Sequence, residues 1–239
     1  MGSLFDGVGA FPLAASYFGI KAIWASEILP AAISVTKRHF PEMQHLGDVT
    51  KLDGGKIPPV DVLCFGSPCQ SFSVAGPRTS FNGKSILFFE AIRIIREMRS
   101  KTCGKYPKIV AFENVPGLFS VDAGRSYQTV IEAFCEAKIP MPESGRWAPA
   151  GLVRGRNTDF AWRLLNASMW GVPQRRRRVF AILSFGEQRA SEILFVEPCV
   201  RGDTAAREGE GQGASAHAAS GAGSAGGGAK STCLNGWET

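Results

Sequence analysis

Residues Val60 to Ser73 run VDVLCFGSPCQSFS. The first six form a short apolar run, the pattern of a buried strand. Gly66, Ser67 and Pro68 then turn the chain, and Cys69 follows the proline directly. A cysteine that only fills a core needs no such turn, whereas a thiol that must meet a ligand does. Downstream, SILFFEAIRIIREMRS from Ser85 places apolar residues at helical spacing between Ile86 and Met98, and KIVAFEN, Lys108 to Asn114, forms another strand. Strand, helix and strand in that order make a crossover unit of a parallel sheet. Cys69 then stands past the carboxyl end of a parallel strand, where open α/β sheets bind ligands.

The same alternation extends outward. SLF (3–5) ends a first strand, PLAASYFG is a short helix closed by Gly19, and KAIWAS is a strand. PAAISVTKRHF is a helix with Pro30 at its start, and SYQTVIEAFCEA is another. RLLNAS (163–168) and RVFAILSF (178–185) are late strands, and 120–160 is otherwise loop and helix. The expectation is an α/β domain with a largely parallel sheet.

With 239 residues, 44% hydrophobic and 20% charged, the chain suits one soluble globular domain with an appendage. It lacks an apolar run near the roughly 20 residues that span a bilayer. The start, MGSLFDGVGAF, has neither the basic nor the apolar region of a secretory signal, and Asp6 spoils a myristoylation pattern. Six scattered cysteines without a CxxC pair speak against a disulfide framework and a zinc site, so a cytoplasmic setting with no metal is expected. The net charge is +6, and QRRRR at Gln174 to Arg178 concentrates it between WGVP and VFAIL, where it opens a strand. That position favours a role in binding anions, nucleic acid included. After Val200 the composition turns to Gly, Ala and Ser, which points to a disordered linker.

Gly7 and Gly9, in LFDGVGAF, follow the first strand and let the backbone approach a ligand. Pro12 stands where the dinucleotide fingerprint needs its third glycine. Glu27 ends the second strand and could accept from ribose hydroxyls; Asp48 follows a third and could accept from an adenine amino group. Each alone fits a turn or a surface acid, but together, at successive strand ends, they outline a nucleoside pocket. Glu113 to Val115, ENV, ends another strand on the same rim, and the arginine run begins a later one. A thiol, a carboxylate and guanidiniums thus converge, the components of covalent catalysis on an electrophile.

In these four stretches the chain resembles the DNA (cytosine-5) methyltransferases, with most likeness to phage-type bacterial members. FDGVG resembles the cofactor loop, GSPCQSFS the nucleophile loop, ENVPG the base-binding strand end and WGVPQRRRR the arginine motif, in family order between Gly2 and about Glu197. The resemblance implies a Rossmann-like fold dependent on S-adenosylmethionine, a mostly parallel sheet with helices on both faces, S-adenosylhomocysteine as the spent cofactor, and double-stranded DNA as partner. It implies that the Cys69 thiolate attacks carbon 6 of a cytosine swung out of the duplex, so that carbon 5 can take the methyl group. By the same carry-over, Glu113 holds N3 and the exocyclic amine, Arg178 contacts O2 with Arg176 in support, and Pro68 shapes the loop. Phe5, Asp6, Gly7, Gly9, Glu27, Ile28, Asp48, Val49 and Gly66 line the cofactor. Gln70, Ser73, Asn114, Val115 and Gln174 meet the substrate, and a loop from Ser71 to Asn82 closes over the base.

The family's target-recognition domain and its two last motifs are not visible after the arginine motif. The expected division is therefore a catalytic domain at 1–197 and a linker, or the start of a recognition region, at 198–239. A catalytic half that needs a partner chain, a truncated product and a transfer-RNA methyltransferase are the alternatives within the family. Outside it, the missing glycine opposes a dehydrogenase, and the placement of the three histidines opposes a cysteine hydrolase.

Overall fold

The computed structural model describes residues 1–68, 86–187 and 189–195. Its strands are β1 (Gly2–Leu4), β2 (Trp24–Ser26), β3 (Gln44–His45), β4 (Val62–Phe65), β5 (Ile109–Asn114), β6 (Ala150–Arg154), β7 (Thr158–Asn166) and β8 (Arg177–Phe185). They form one sheet in the order β3-β2-β1-β4-β5-β8-β7-β6. The first five pair in parallel, and β8, β7 and β6 continue the sheet antiparallel. The chain steps outward from β1 to β3, then returns to β4 on the other side of β1. That reversal opens a crevice at the carboxyl ends of β1 and β4, the usual ligand position in such sheets.

Helices α1 (Ala10–Ser16), α2 (Pro30–His39), α3 (Ile86–Lys101), α4 (Arg125–Cys135) and α5 (Ala190–Leu194) flank the sheet. Pro30 starts α2, where its missing N–H costs nothing, and Lys37, Arg38 and His39 close it against the negative end of the helix dipole. Alternation along the strands divides the core. Phe65 of β4, Val110 and Phe112 of β5, Phe160 of β7 and Leu183 of β8 face α3 and α4, packing with Phe88, Ile95 and Phe134. Ring centroids of Phe112 and Phe134 lie 5.7 Å apart, and those of Phe134 and Phe160 lie 5.2 Å apart. Ile109, Ala111, Ala161 and Ile182 point to the other face and meet Ala190 and Leu194 of α5. The expected mostly parallel sheet with helices on both faces is therefore what forms.

Several expectations need correction. The stretch 120–160 contains strand β6, and β7 begins at Thr158 instead of Arg163. The pair is a hairpin whose charged residues, Arg154, Arg156, Asp159 and Arg163, mask its alternation. Its register depends on Trp162, whose indole lies over the α-carbon of Gly151, where a β-carbon would collide with the ring. Residues Ala167 and Ser168, expected in a strand, belong to a 3-10 turn at Ala167–Trp170. Helix α5 was not expected either; the buried Asp159 carboxylate accepts from its first N–H, that of Ala190, at 2.9 Å. The expectations for Cys69, Gln70, Ser73, the Ser71–Asn82 loop and the 198–239 linker lie outside the described residues.

Candidate active site

The crevice begins where β1 ends. Phe5, Gly7 and Gly9 all have positive φ, at 53°, 57° and 86°. A glycine takes such a turn at little cost, but a bulky residue does so only when its surroundings hold it there. At Gly9 a β-carbon would come within 2.9 Å of the Thr36 methyl, so the loop lies directly on α2. The Asp6 N–H donates to the Ser26 carbonyl at 3.1 Å, which ties the loop to β2.

Glu27 faces this loop as expected. Its Oε2 accepts from the Gly7 N–H at 2.8 Å, and its Oε1 accepts from the N–H groups of Ile28 and Leu29 at 2.8 and 3.0 Å. A carboxylate has about four acceptor sites, so roughly one stays open for a ligand hydroxyl. Asp48 caps the 3-10 turn Val49–Lys51, accepting from the Thr50 N–H and hydroxyl at 2.9 and 2.8 Å. Those bonds hold its exposed carboxyl below the usual carboxylate range. Ile28 is exposed beside Glu27, whereas the Val49 side chain is buried in the core and leaves only backbone to meet a ligand. Asp6 points inward. It is 6% exposed, neither oxygen has a hydrogen-bond partner by geometry among the described residues, and burial raises its pKa, with Ser3 beside it tempering the rise.

Beyond β1, the ends of β4 and β5 meet. Arg178 Nε lies 2.9 Å from Glu113 Oε1, with both side chains largely enclosed. The register explains the pairing: Glu113 sits opposite Phe180 on β8, so Arg178 comes off the same face two residues away. The other carboxylate oxygen rests on Gly66, where a β-carbon would lie 2.9 Å from Oε2. A side chain at position 66 would therefore push the Glu113 carboxylate from this place. Asn114, 2% exposed, donates from Nδ2 to the carbonyl and hydroxyl oxygens of Ser67 at 3.3 and 3.4 Å, and its Oδ1 accepts from the Val115 N–H. It holds the turn that leads through exposed Pro68 to position 69.

Gly66, Ser67, Glu113, Asn114 and Arg178 therefore come together, and so do Gly7 and Glu27. Arg176 and Gln174 do not join them directly. Both are exposed in the approach to β8, where the Arg176 N–H donates to the Gln174 carbonyl and the Arg176 carbonyl accepts from Ala167. Two further residues act here to which the sequence reading gave no site role. Ser67 is one, and its place beside Pro68 was the available signal. Arg93 of α3 is the other: it donates to the Leu52 carbonyl at 2.8 Å and the Val49 carbonyl at 3.3 Å while bridging Glu90 and Glu97. Glu97 in turn accepts from the Gly54 N–H at 2.7 Å. The helical spacing of Glu90, Arg93 and Glu97 was legible, but not the loop they clamp.

These residues could hold a nucleoside-bearing cofactor: a glycine turn for close backbone approach, a fixed acid with an open acceptor site, and an ionised acid on the next strand end. Residues 1–196 match the family of C-5 cytosine-specific DNA methylases. The chain is 32% identical over 213 residues to a protein of Escherichia phage P1 named DNA N-6-adenine-methyltransferase, covering 77% of this chain and 28% of that one. It is 31% identical over 196 residues to the type II methyltransferase M.HhaI of Haemophilus parahaemolyticus, covering 82% of this chain and 52% of that one. The crystal structure of a DNA modification methyltransferase encoded in an Escherichia coli prophage superposes with a TM-score of 0.54 at 24% identity, over 77% of this chain and 46% of that one. That last likeness speaks to fold alone. The chain spans about half, or less, of the length of these relatives.

Proposed function

This chain belongs to the C-5 cytosine-specific DNA methylase family, and on that premise we propose that it carries the catalytic part of an enzyme that methylates carbon 5 of cytosine in double-stranded DNA. The observation that carries the reading is the Glu113–Arg178 pair, seated on Gly66 where β5 ends and β8 begins. On the Watson–Crick edge of cytosine, O2, N3 and the exocyclic amine lie in a row. A guanidinium beside a carboxylate matches that row, with Arg178 on O2 and Glu113 on N3 and the amine. Asn114 and Ser67 hold the strand end from which Pro68 and Cys69 follow.

In the proposed chemistry the Cys69 thiolate adds to carbon 6, breaking the conjugation of the ring. Glu113 shares a proton with N3 and Arg178 steadies O2, so the electron pair is delivered to carbon 5. S-adenosylmethionine supplies an electrophilic methyl group on a sulfonium. A base then takes the carbon 5 proton of the methylated adduct, the ring double bond re-forms, and the Cys69 thiolate leaves with the electron pair of its bond to carbon 6. Cys64 cannot stand in for the nucleophile: it is buried in β4, and burial pushes its thiol up to about 12. Cys135 is raised to about 12 for the same reason.

The expected division into a catalytic domain at 1–197 and a linker at 198–239 belongs to this proposal, as does the need for a recognition segment, supplied by further chain or by a partner. Val8, Leu13, Tyr17, Phe18, Ile28 and Leu29 are exposed around the cofactor loop, and their apolar area is where such a segment would pack. The test is methyl transfer from labelled S-adenosylmethionine to duplex DNA, with a recognition domain supplied and the product bases separated. Label in 5-methylcytosine is expected, and Glu113→Gln should lower the rate by roughly a hundredfold or more. Label in N6-methyladenine, or a rate indifferent to Glu113, would overturn the reading.

A further inference from the structure

Glu113 and Arg178 mark one pole of the sheet. At the other pole, where β8 ends opposite the start of β5, a cavity of about 350 Å³ opens between α3, the end of α4 and the last residues of β8. Its floor is apolar, formed by Ile92 and Ile95 of α3, Phe134 of α4 and Leu183 of β8. Its mouth is charged, with Arg96, Arg99 and Glu136.

These charges do not balance. Among the described residues, Glu136 is the one carboxylate lining the cavity, and Arg96 already holds it, Nε to Oε1 at 2.8 Å. Arg99 has no carboxylate partner among the described residues. Its Nη1 donates to the Pro107 carbonyl at 2.9 Å, and its guanidinium lies over the Phe185 ring, 3.6 Å from the centroid. A carbonyl and an aromatic face soften the loss of water around a cation, but neither supplies a negative charge. Burial accordingly pulls Arg99 below the usual arginine range, and the charge of Glu136, held by Arg96, only tempers the fall. Two guanidiniums and one carboxylate leave one positive charge at the mouth of an apolar cavity. The stack on Phe185 also fixes the plane of the Arg99 fork, which favours a planar, bidentate anion.

We propose that this cavity binds a small amphipathic carboxylic acid, its apolar body against Ile95, Phe134 and Leu183 and its carboxylate on Arg99. The volume is near the lower bound of ligand sites, roughly 300–1,000 Å³, which suits one ring or a short aliphatic chain and excludes a dinucleotide. The site is independent of the methylation reading, since it shares no residue with the crevice.

The probe is 4-phenylbutyrate, compared with 4-phenylbutan-1-ol and 4-phenylbutylamine, titrated into the full chain with isotope-labelled Ile and Leu methyl groups and no DNA or cofactor. The acid should give saturable NMR shifts at Ile92, Ile95 and Leu183, bind about tenfold more tightly than the alcohol, and outbind the amine further. Arg99→Gln should reduce the acid to the alcohol's affinity. Ala133→Met, which fills the cavity wall and leaves Arg99 in place, should weaken acid and alcohol alike. Equal affinity for acid and alcohol, shifts confined to other methyl groups, no saturable shift, or an acid affinity unchanged by Arg99→Gln would each overturn the proposal.

Discussion

Single residues carry the sharpest consequences. Asn114 touches Ser67 and its own neighbour, so its effect on chemistry runs through the placement of the residue after Pro68. Asn114→Ala should lower methyl transfer by about ten- to a hundredfold, the scale expected when a reacting group is misplaced by an ångström. S-adenosylmethionine affinity should stay within about twofold, since the other strand end holds it. Calorimetry and single-turnover rates separate the two effects, and equal losses in both would count against a positioning role. Asp6 offers a pH test. Its folded-state pKa is raised by burial, so the folded chain holds that proton more tightly than the unfolded one. The stabilisation is full below the ordinary carboxylate range and is lost as pH rises through the raised value. Asp6→Asn should therefore unfold at the parent's temperature near pH 3 and at a higher temperature near pH 7. A parent and variant that stay parallel from pH 4 to 8 would mean that the carboxyl finds a partner.

Elements decide how those residues meet, and here the sequence was unevenly legible. The parallel half was readable because its strands are short apolar runs ending in turn residues, as in VDVLCFGSP, and because α3 shows its apolar face at regular spacing. Glu27 and Glu113 were legible as strand-end acids for the same reason. The antiparallel half was less so: β6 and the first residues of β7 carry Arg154, Asp159 and Arg163, charges that interrupt the apolar alternation by which a strand is read. The inward turn of Asp6 and the core position of Val49 were also hidden, since both depend on what α2 and α3 place beneath the loops. Arg93 shows this coupling. One side chain on α3 carries two carboxylate contacts and two carbonyls of the Asp48 loop. Arg93→Met should cost about 1–3 kcal/mol, because Glu97 and the loop carbonyls lose their donor, and should weaken S-adenosylmethionine binding several-fold. Urea unfolding and calorimetry read both; a variant less stable but unchanged in cofactor affinity would limit Arg93 to the core.

For the whole molecule, charge and extent matter most. Arg175, Arg176 and Arg177 are exposed where the chain enters β8, just before Arg178, in a chain of net charge +6. Phosphate attraction of that kind ignores sequence and falls steeply with salt. Base-edge contacts, which discriminate sequence, would come from the recognition segment of the proposal. The chain by itself should bind duplex DNA weakly, lose that binding between about 50 and 200 mM salt, and favour no sequence in a competition assay. Efficient methylation of one particular site by the chain alone would place the recognition function within it. The central claim is that Cys69 attacks a cytosine held by Glu113 and Arg178. Its most direct test is mass spectrometry of the chain after incubation, with a recognition domain and S-adenosylmethionine, on DNA containing 5-fluorocytosine, whose fluorine cannot leave as a proton does. A DNA adduct on the peptide containing Cys69, abolished by Cys69→Ser, is predicted; an adduct on another cysteine, or one that persists in Cys69→Ser, would contradict the claim.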